Sequence, residues 1–272
     1  MHPVTDLREI FTNDIPAYWE FIGSGGKTSA LINAVKLVSR RQKNILFTTT
    51  VHMAAPLRCA EALSVRDGAE AAGLQGRFVD YPGTFAPYGS YEDLLCVWQE
   101  VKAPRLLMTG RMAVKNGVPK LTGLSSAEVD RLCGLPGLDC LLIEADGSRQ
   151  LPVKVHAEHE PVLFSKAEMG AAVVGLRGIG RRVCEGEVHR PELMRRLLNC
   201  GPEHVINEDD FLMIIVSYLD KLPTPAHTVI FSQAEGADGA QLQRLAAGVK
   251  RLRGGVTPLS FIVQAHKSWF KL

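Results

Sequence analysis

The sequence predicts an α/β fold, a mostly parallel sheet with helices on both faces. Three observations predict it. Short apolar runs alternate with helix-period stretches along the whole chain. Residues 138–144 (LDCLLIE) are almost continuously apolar, as a parallel strand buried on both faces must be. Residues 19–22 form another apolar run, which breaks into a Gly-rich turn and then directly into a helical pattern.

In chain order, residues 6–11 are expected as a short helix leading to the first strand. After the turn, Leu31, Ala34, Val35 and Val38 recur at helical spacing across residues 29–41. Arg40, Arg41 and Lys43 then suit a helix C-terminus. Residues 44–47 (NILF) read as a second strand running into Thr48-Thr49-Thr50. A helix is expected over 56–73, broken at Asp67-Gly68. Residues 76–90 mix Pro and Gly with Phe78, Tyr81, Phe85 and Tyr88, which suits an ordered loop better than a linker. Residues 91–100 read as a helix, 105–109 as a strand and 120–123 as a small turn. Ser125-Ser126 with Glu128 three residues on opens another helix. Strands are expected at 171–176, 227–232 and 256–263. Helices are expected after Pro191, over 207–219 behind an Asn207 cap, and over 239–252. The organisation predicted is one nucleotide-binding α/β domain over 1–272, with a loop-rich insertion at about 76–125.

Composition narrows the function. The 272 residues are 46% hydrophobic, enough for a sizeable core. A net charge of +2 leaves no basic surplus for nucleic acid. No apolar run approaches 18 residues, so no membrane span is expected, and the charged N-terminus does not read as a signal peptide. Six scattered cysteines without a C-x-x-C pair read as reduced thiols of a cytoplasmic protein.

The chemistry concentrates in three places. The first is Gly23-Ser24-Gly25-Gly26-Lys27-Thr28-Ser29, between strand and helix. Glycines let backbone N–H groups converge on an anion, and the helix N-terminus and Lys27 supply positive charge. Thr28 supplies the hydroxyl that ligands Mg²⁺ in phosphate loops. The full pattern G-x-x-x-x-G-K-[ST] is not met, because Phe21 stands where its first Gly would be. The plain alternative is a Gly-rich turn with an exposed lysine. With this loop, the α/β fold reads as phosphate-loop NTPase-like, with ATP or GTP and Mg²⁺ as cofactors. Thr49 and Thr50, at the end of the second strand, would face the ligand crevice.

The second place is the end of the strand at 138–144. Glu144 and Asp146 emerge there on one side, where an acidic residue holds Mg²⁺ in such proteins. An acidic turn is the plain alternative. The third is residues 154–160, where Lys154, His156, Glu158, His159 and Glu160 crowd together. Lys154, His159 and Glu160 are assigned to the γ-phosphate or the acceptor, and Lys27 and Asp146 join them as candidate catalytic groups. No third ligand has spacing for a zinc site with His156 and His159. The arginines of 177–182 read equally well as phosphate contacts and as solvated charges.

The loop GSGGKTS resembles the G-T-x-G-K-T variant of the Mur ligases, which suggests a ligase-like activation of a carboxylate as one possible reaction. Taken together, GSGGKTS, the TTT stretch, EADGSR with KVHAEHEP, the VVG strand end and VHRPE resemble the YqeC family over roughly residues 15–235. That resemblance implies a cytoplasmic nucleotide-binding protein that helps mature selenium-dependent molybdenum hydroxylases. Its partners would be a hydroxylase or its cofactor-maturation proteins. GTPase-like relatives carry N-K-x-D to read guanine, whereas this chain has Ser232-Gln233-Ala234-Glu235, which leaves ATP open. Two functions fit: NTP hydrolysis or phosphoryl transfer, or a non-catalytic switch that docks on a partner when nucleotide is bound.

Overall fold

The computed structural model describes residues 3–11, 15–54, 83–115, 117–254, 258–265 and 268–272. The helix expected over 56–73 lies outside them. In chain order the elements begin with β1 (Tyr18–Gly23), α1 (Lys27–Val38), β2 (Asn44–Thr49), β3 (Met53–Ala54) and β4 (Thr84–Pro87). Next come α2 (Tyr91–Glu100), β5 (Arg105–Lys115), β6 (Val118–Thr122), α3 (Ser126–Leu132), β7 (Cys140–Glu144) and β8 (Met169–Gly175). The chain continues with α4 (Pro191–Leu198), α5 (Glu208–Leu219), β9 (Ala226–Ser232), α6 (Gly239–Arg253), β10 (Leu259–Ala265) and β11 (Ser268–Lys271).

The strands form one sheet in the order β11-β10-β9-β8-β1-β7-β2-β5-β6-β3, with β4 also paired to β5. From β10 across to β4 every pairing is parallel. Among the described residues, only β11, β6 and β3 run antiparallel to their neighbours. The architecture is a mostly parallel α/β sheet.

Side-chain alternation builds two cores. On β1, Trp19 and Phe21 face the side covered by α1, with Leu31, Ala34 and Val35. Ile22 faces the opposite side, where Leu94 and Trp98 of α2, Met194 of α4, Phe211 and Ile215 of α5, and Leu242 and Leu245 of α6 pack. Each fully buried aliphatic or aromatic side chain contributes about 1.5–3 kcal/mol. β7 and β8 are buried at every position, which explains their continuous apolar runs.

The structure redraws some local expectations. Only Leu7–Glu9 form a helical turn near the N-terminus, of the 3-10 type, capped by Asp6. The strand expected at 105–109 continues to Lys115 and turns back antiparallel as β6, so most of the expected turn at 120–123 is strand. β11 adds a final antiparallel edge strand. Residues 84–122, part of the stretch that reads as loop-rich, hold β4, α2, β5 and β6.

The topology positions the site. From β1 the chain leaves toward β2 on one side, while β7 to β8 crosses over β1 to the other. This reversal puts the C-terminal ends of β1, β7 and β8 at a topological switch point, the place where open α/β sheets bind ligands. Among the described residues no helix is long and apolar enough to cross a membrane.

Candidate functional site

The turn after β1 is held by packing and hydrogen bonds. Gly23, Gly25 and Gly26 have φ of 102°, 78° and 132°, values that side chains resist. A Cβ on Gly25 would sit 2.6 Å from the Gly175 Cα and 2.7 Å from the Pro152 carbonyl oxygen. The Ser24 amide donates to the Val173 carbonyl (2.9 Å). The Ser24 hydroxyl donates to the Pro152 carbonyl (3.1 Å) and lies 3.1 Å from the Tyr218 hydroxyl. From the end of β9, the Ser232 hydroxyl donates to the Gly25 carbonyl (2.7 Å).

Lys27 opens α1, and its ammonium is buried. It donates to the Gly23 carbonyl at 2.7 Å and lies 3.1 Å from Asp146 Oδ1. The next residue, Thr28, donates its hydroxyl to Glu144 Oε2 at 2.8 Å. β7 lies beside β1 with Phe21 opposite Glu144, so the acid strand and the glycine turn are adjacent by register. Burial pushes the Glu144 carboxyl up, against the pull of Lys27 and Thr28.

Asp146 is fully buried and heavily subscribed. Its Oδ2 accepts from the Gly23 amide (2.7 Å), lies 2.5 Å from His156 Nε2 and 3.1 Å from Lys154 Nζ. Burial opposes ionisation, but Lys27, His156 and Lys154 hold this carboxyl far below the usual range. Burial pulls the His156 pKa down, against the opposing pull of the Asp146 carboxylate. The His156 Nδ1 is buried without a hydrogen-bond partner among the described residues.

Lys154 is also fully buried. It donates to the Gly147 carbonyl (2.7 Å) and Glu160 Oε2 (2.8 Å). Arg190 closes the cluster with a bidentate pair to Glu160 at 2.6 and 2.7 Å. Burial works against Glu160, yet Arg190 and Lys154 bring it down to about 2. The Tyr218 hydroxyl, from α5, donates to the Lys154 carbonyl (2.8 Å) and accepts from the Lys154 amide (3.1 Å).

The structure therefore brings together Gly23, Ser24, Gly25, Gly26, Lys27, Thr28, Glu144, Asp146, Lys154 and Glu160. Thr49 and Thr50 are at the edge of this group, but their hydroxyls serve the backbone. Thr49 Oγ1 lies 2.9 Å from the Glu144 carbonyl and accepts from the Val51 amide, and Thr50 donates to the Val162 carbonyl. Ser29 is exposed on α1. His159 is exposed and makes no hydrogen bond among the described residues, and His156 occupies the cluster instead. His156 and Arg190 are the residues that sequence reasoning left out of the site. Arg190 had one usable signal, its place in the VHRPE stretch, one of those that carry the family resemblance. The arginines of 177–182 are engaged at the surface: Arg177 lies 3.9 Å from Glu235, and Arg182 pairs with Glu187 at 3.0 Å.

Among the described residues, no three His, Cys, Asp or Glu side chains are placed to hold a metal on their own. Thr28 and Glu144 offer two hard oxygens side by side. That donor set fits Mg²⁺, which keeps several waters and completes its shell with phosphate oxygens.

The family model described as "YqeC protein" matches residues 20–192, which contain the glycine turn, the Glu144 and Asp146 strand end, and the whole 154–190 charge cluster. Over 200 residues the chain is 26% identical to "Uncharacterized protein YqeC" of Escherichia coli (strain K12). The match covers 74% of this chain and 68% of that relative. With the model matched over most of its length, this chain belongs to the YqeC family.

Proposed function

We propose that this protein is a Mg²⁺-dependent nucleoside-triphosphate-binding protein with a phosphate-loop NTPase-like site, and that it hydrolyses the nucleotide or transfers its γ-phosphoryl group. One observation carries the proposal. A buried lysine at a helix N-terminus, Lys27, faces an acid strand end, while the next residue's hydroxyl touches Glu144. Glycines 25 and 26 would present backbone N–H groups to the phosphates, while the Gly23 amide stays on Asp146. Thr28 and Glu144 would hold Mg²⁺, which supplies charge neutralisation on the phosphate oxygens.

The charge cluster suggests what the protein does as nucleotide enters. Lys27 exchanges its bonds to Gly23 and Asp146 for phosphate oxygens. Asp146 keeps Lys154, His156 and the Gly23 amide, so its buried charge never stands alone. Asp146 is then a keystone that holds the turn, with Glu144 as the metal-side carboxylate. Lys154 and Glu160 position the wall facing the γ-phosphate. The cellular role that family resemblance implies, maturation of selenium-dependent molybdenum hydroxylases, follows as part of this proposal.

The test is thermal stability with ATP, GTP or no ligand, with and without Mg²⁺, for wild type and Lys27→Ala. At about a hundred times Kd a ligand adds about 2.7 kcal/mol, a rise of roughly 5 to 10 °C for a chain of this size. A Mg²⁺-dependent rise that Lys27→Ala abolishes is expected, and the better nucleotide identifies the base. No rise with either nucleotide overturns the proposal. Steady-state phosphate release, alone and with a hydroxylase partner, then separates an enzyme from a nucleotide-operated switch.

A further inference from the structure

Next to the buried cluster stands an arginine with nothing to hold. Arg149 follows the Asp146-Gly147-Ser148 turn and is exposed. It has no hydrogen bond or ion pair with any described residue. Its backbone is left-handed (φ 50°), as is that of Gln150 (φ 64°). Two successive non-glycine residues in this region store strain, which persists where the surrounding structure has a use for it. Arg190, which shares Glu160 with Lys154, is left-handed too (φ 64°).

His189 precedes Arg190, and the Lys154 that it pairs with donates to the Gly147 carbonyl (2.7 Å), two residues before Arg149. His189 forms a parallel bridge with Lys154, its amide donating to the Val153 carbonyl at 3.0 Å. Its side chain is buried, yet its ring makes no hydrogen bond with a described residue. Burial keeps it neutral, down to about 4, and Arg190, Lys154 and Arg149 all push the same way. No anion of the cluster is left over for this group. Glu160 is taken by Arg190 and Lys154, and Asp146 by Lys27, Lys154 and His156.

We infer that Arg149 and His189, backed by Lys154, form a second oxyanion site that takes a phosphate- or carboxylate-bearing co-ligand beside the nucleotide. Arg149 supplies a planar pair of donors suited to either group. His189 supplies a neutral N–H donor. The inference rests on the nucleotide reading for the word "beside", but the oxyanion site itself does not depend on it.

The experiment titrates inorganic phosphate, and separately malonate, into protein saturated with Mg²⁺ and a non-hydrolysable nucleotide. Melting temperature is the readout. Wild type should gain a further rise of about 3 to 6 °C with at least one of the two probes. Arg149→Gln should lose that further rise and keep the rise from nucleotide. His189→Gln should do the same. A phosphate-only rise points to a phosphorylated co-ligand, and a malonate-only rise to a carboxylate. No further rise in wild type, or one that survives Arg149→Gln, overturns the inference. If nucleotide itself gives no rise, the same titration on ligand-free Lys27→Ala decides separately. A probe-induced rise there that Arg149→Gln removes supports the oxyanion site while the nucleotide reading falls. Its absence there sinks both.

Discussion

Replacing Asp146 by Asn tests the electrostatic keystone directly. The amide keeps the shape of the carboxyl and can still accept from the Gly23 amide, 2.7 Å away in the wild type. The negative charge is lost. Lys154 retains Glu160 at 2.8 Å and the Gly147 carbonyl at 2.7 Å. Lys27 retains only the Gly23 carbonyl. One buried ammonium is thus left without a counter-charge, at a cost of about 3–5 kcal/mol. For a chain of this size that is a fall in melting temperature of roughly 10 °C or somewhat more. Lys27→Met removes the other half of the pair. The double variant Lys27→Met/Asp146→Asn should be less destabilised than the two singles summed, by about 2 kcal/mol, because no orphaned charge remains. Urea and thermal melts by circular dichroism measure all three. The carboxyl titrates below its ordinary value, so its stabilisation is complete above about pH 4 and is lost as pH falls further. Wild type should therefore lose stability more steeply than Asp146→Asn below that point. A cost under about 1 kcal/mol for Asp146→Asn, or strict additivity in the double variant, would refute the reasoning.

Three further outcomes are expected. Gly25→Ala places a Cβ 2.6 Å from the Gly175 Cα at a φ of 78°, so it should cost more than about 2 kcal/mol and abolish any nucleotide-induced rise. Gly117→Ala, with a φ of 72° but open space around it, should cost only about 1 kcal/mol, and equal costs would deny that the close approach matters. Glu20 is fully buried, and burial pushes its pKa up to about 8 against the weaker pull of the Phe164 amide. Its proton is held more tightly in the folded state, so wild type should lose stability as pH climbs from about 4.3 to 8. Glu20→Gln removes that titration, and parallel stability curves for the two proteins across this window would contradict it.

The fold was readable where burial is two-sided. A strand such as β7, apolar at every position, has one place to go, the middle of a parallel sheet. The glycine turn was readable because few other contexts need Gly at 23, 25 and 26 between a strand and a helix. The β5 and β6 ribbon was harder, because its outer half is only partly buried and its period-2 pattern is short. The choice between His156 and His159 was not readable at all. Both lie within a few residues of Glu160 on an irregular segment, and no periodicity says which one turns inward. Arg190 lies 30 residues beyond Glu160, and only the tertiary fold brings the two into a bidentate pair.

The turn from Gly23 to Gly26 is wedged among Val173, Gly175, Pro152, Tyr218 and Ser232. Under the proposed function, a phosphate-bearing ligand would find a finished mould there. Little association energy would go into ordering backbone, and the rearrangement on capture would be confined to side chains, chiefly the swing of one ammonium. Crystals of the ligand-free protein should therefore survive soaking with a phosphate-bearing compound, since the lattice would have almost nothing to accommodate.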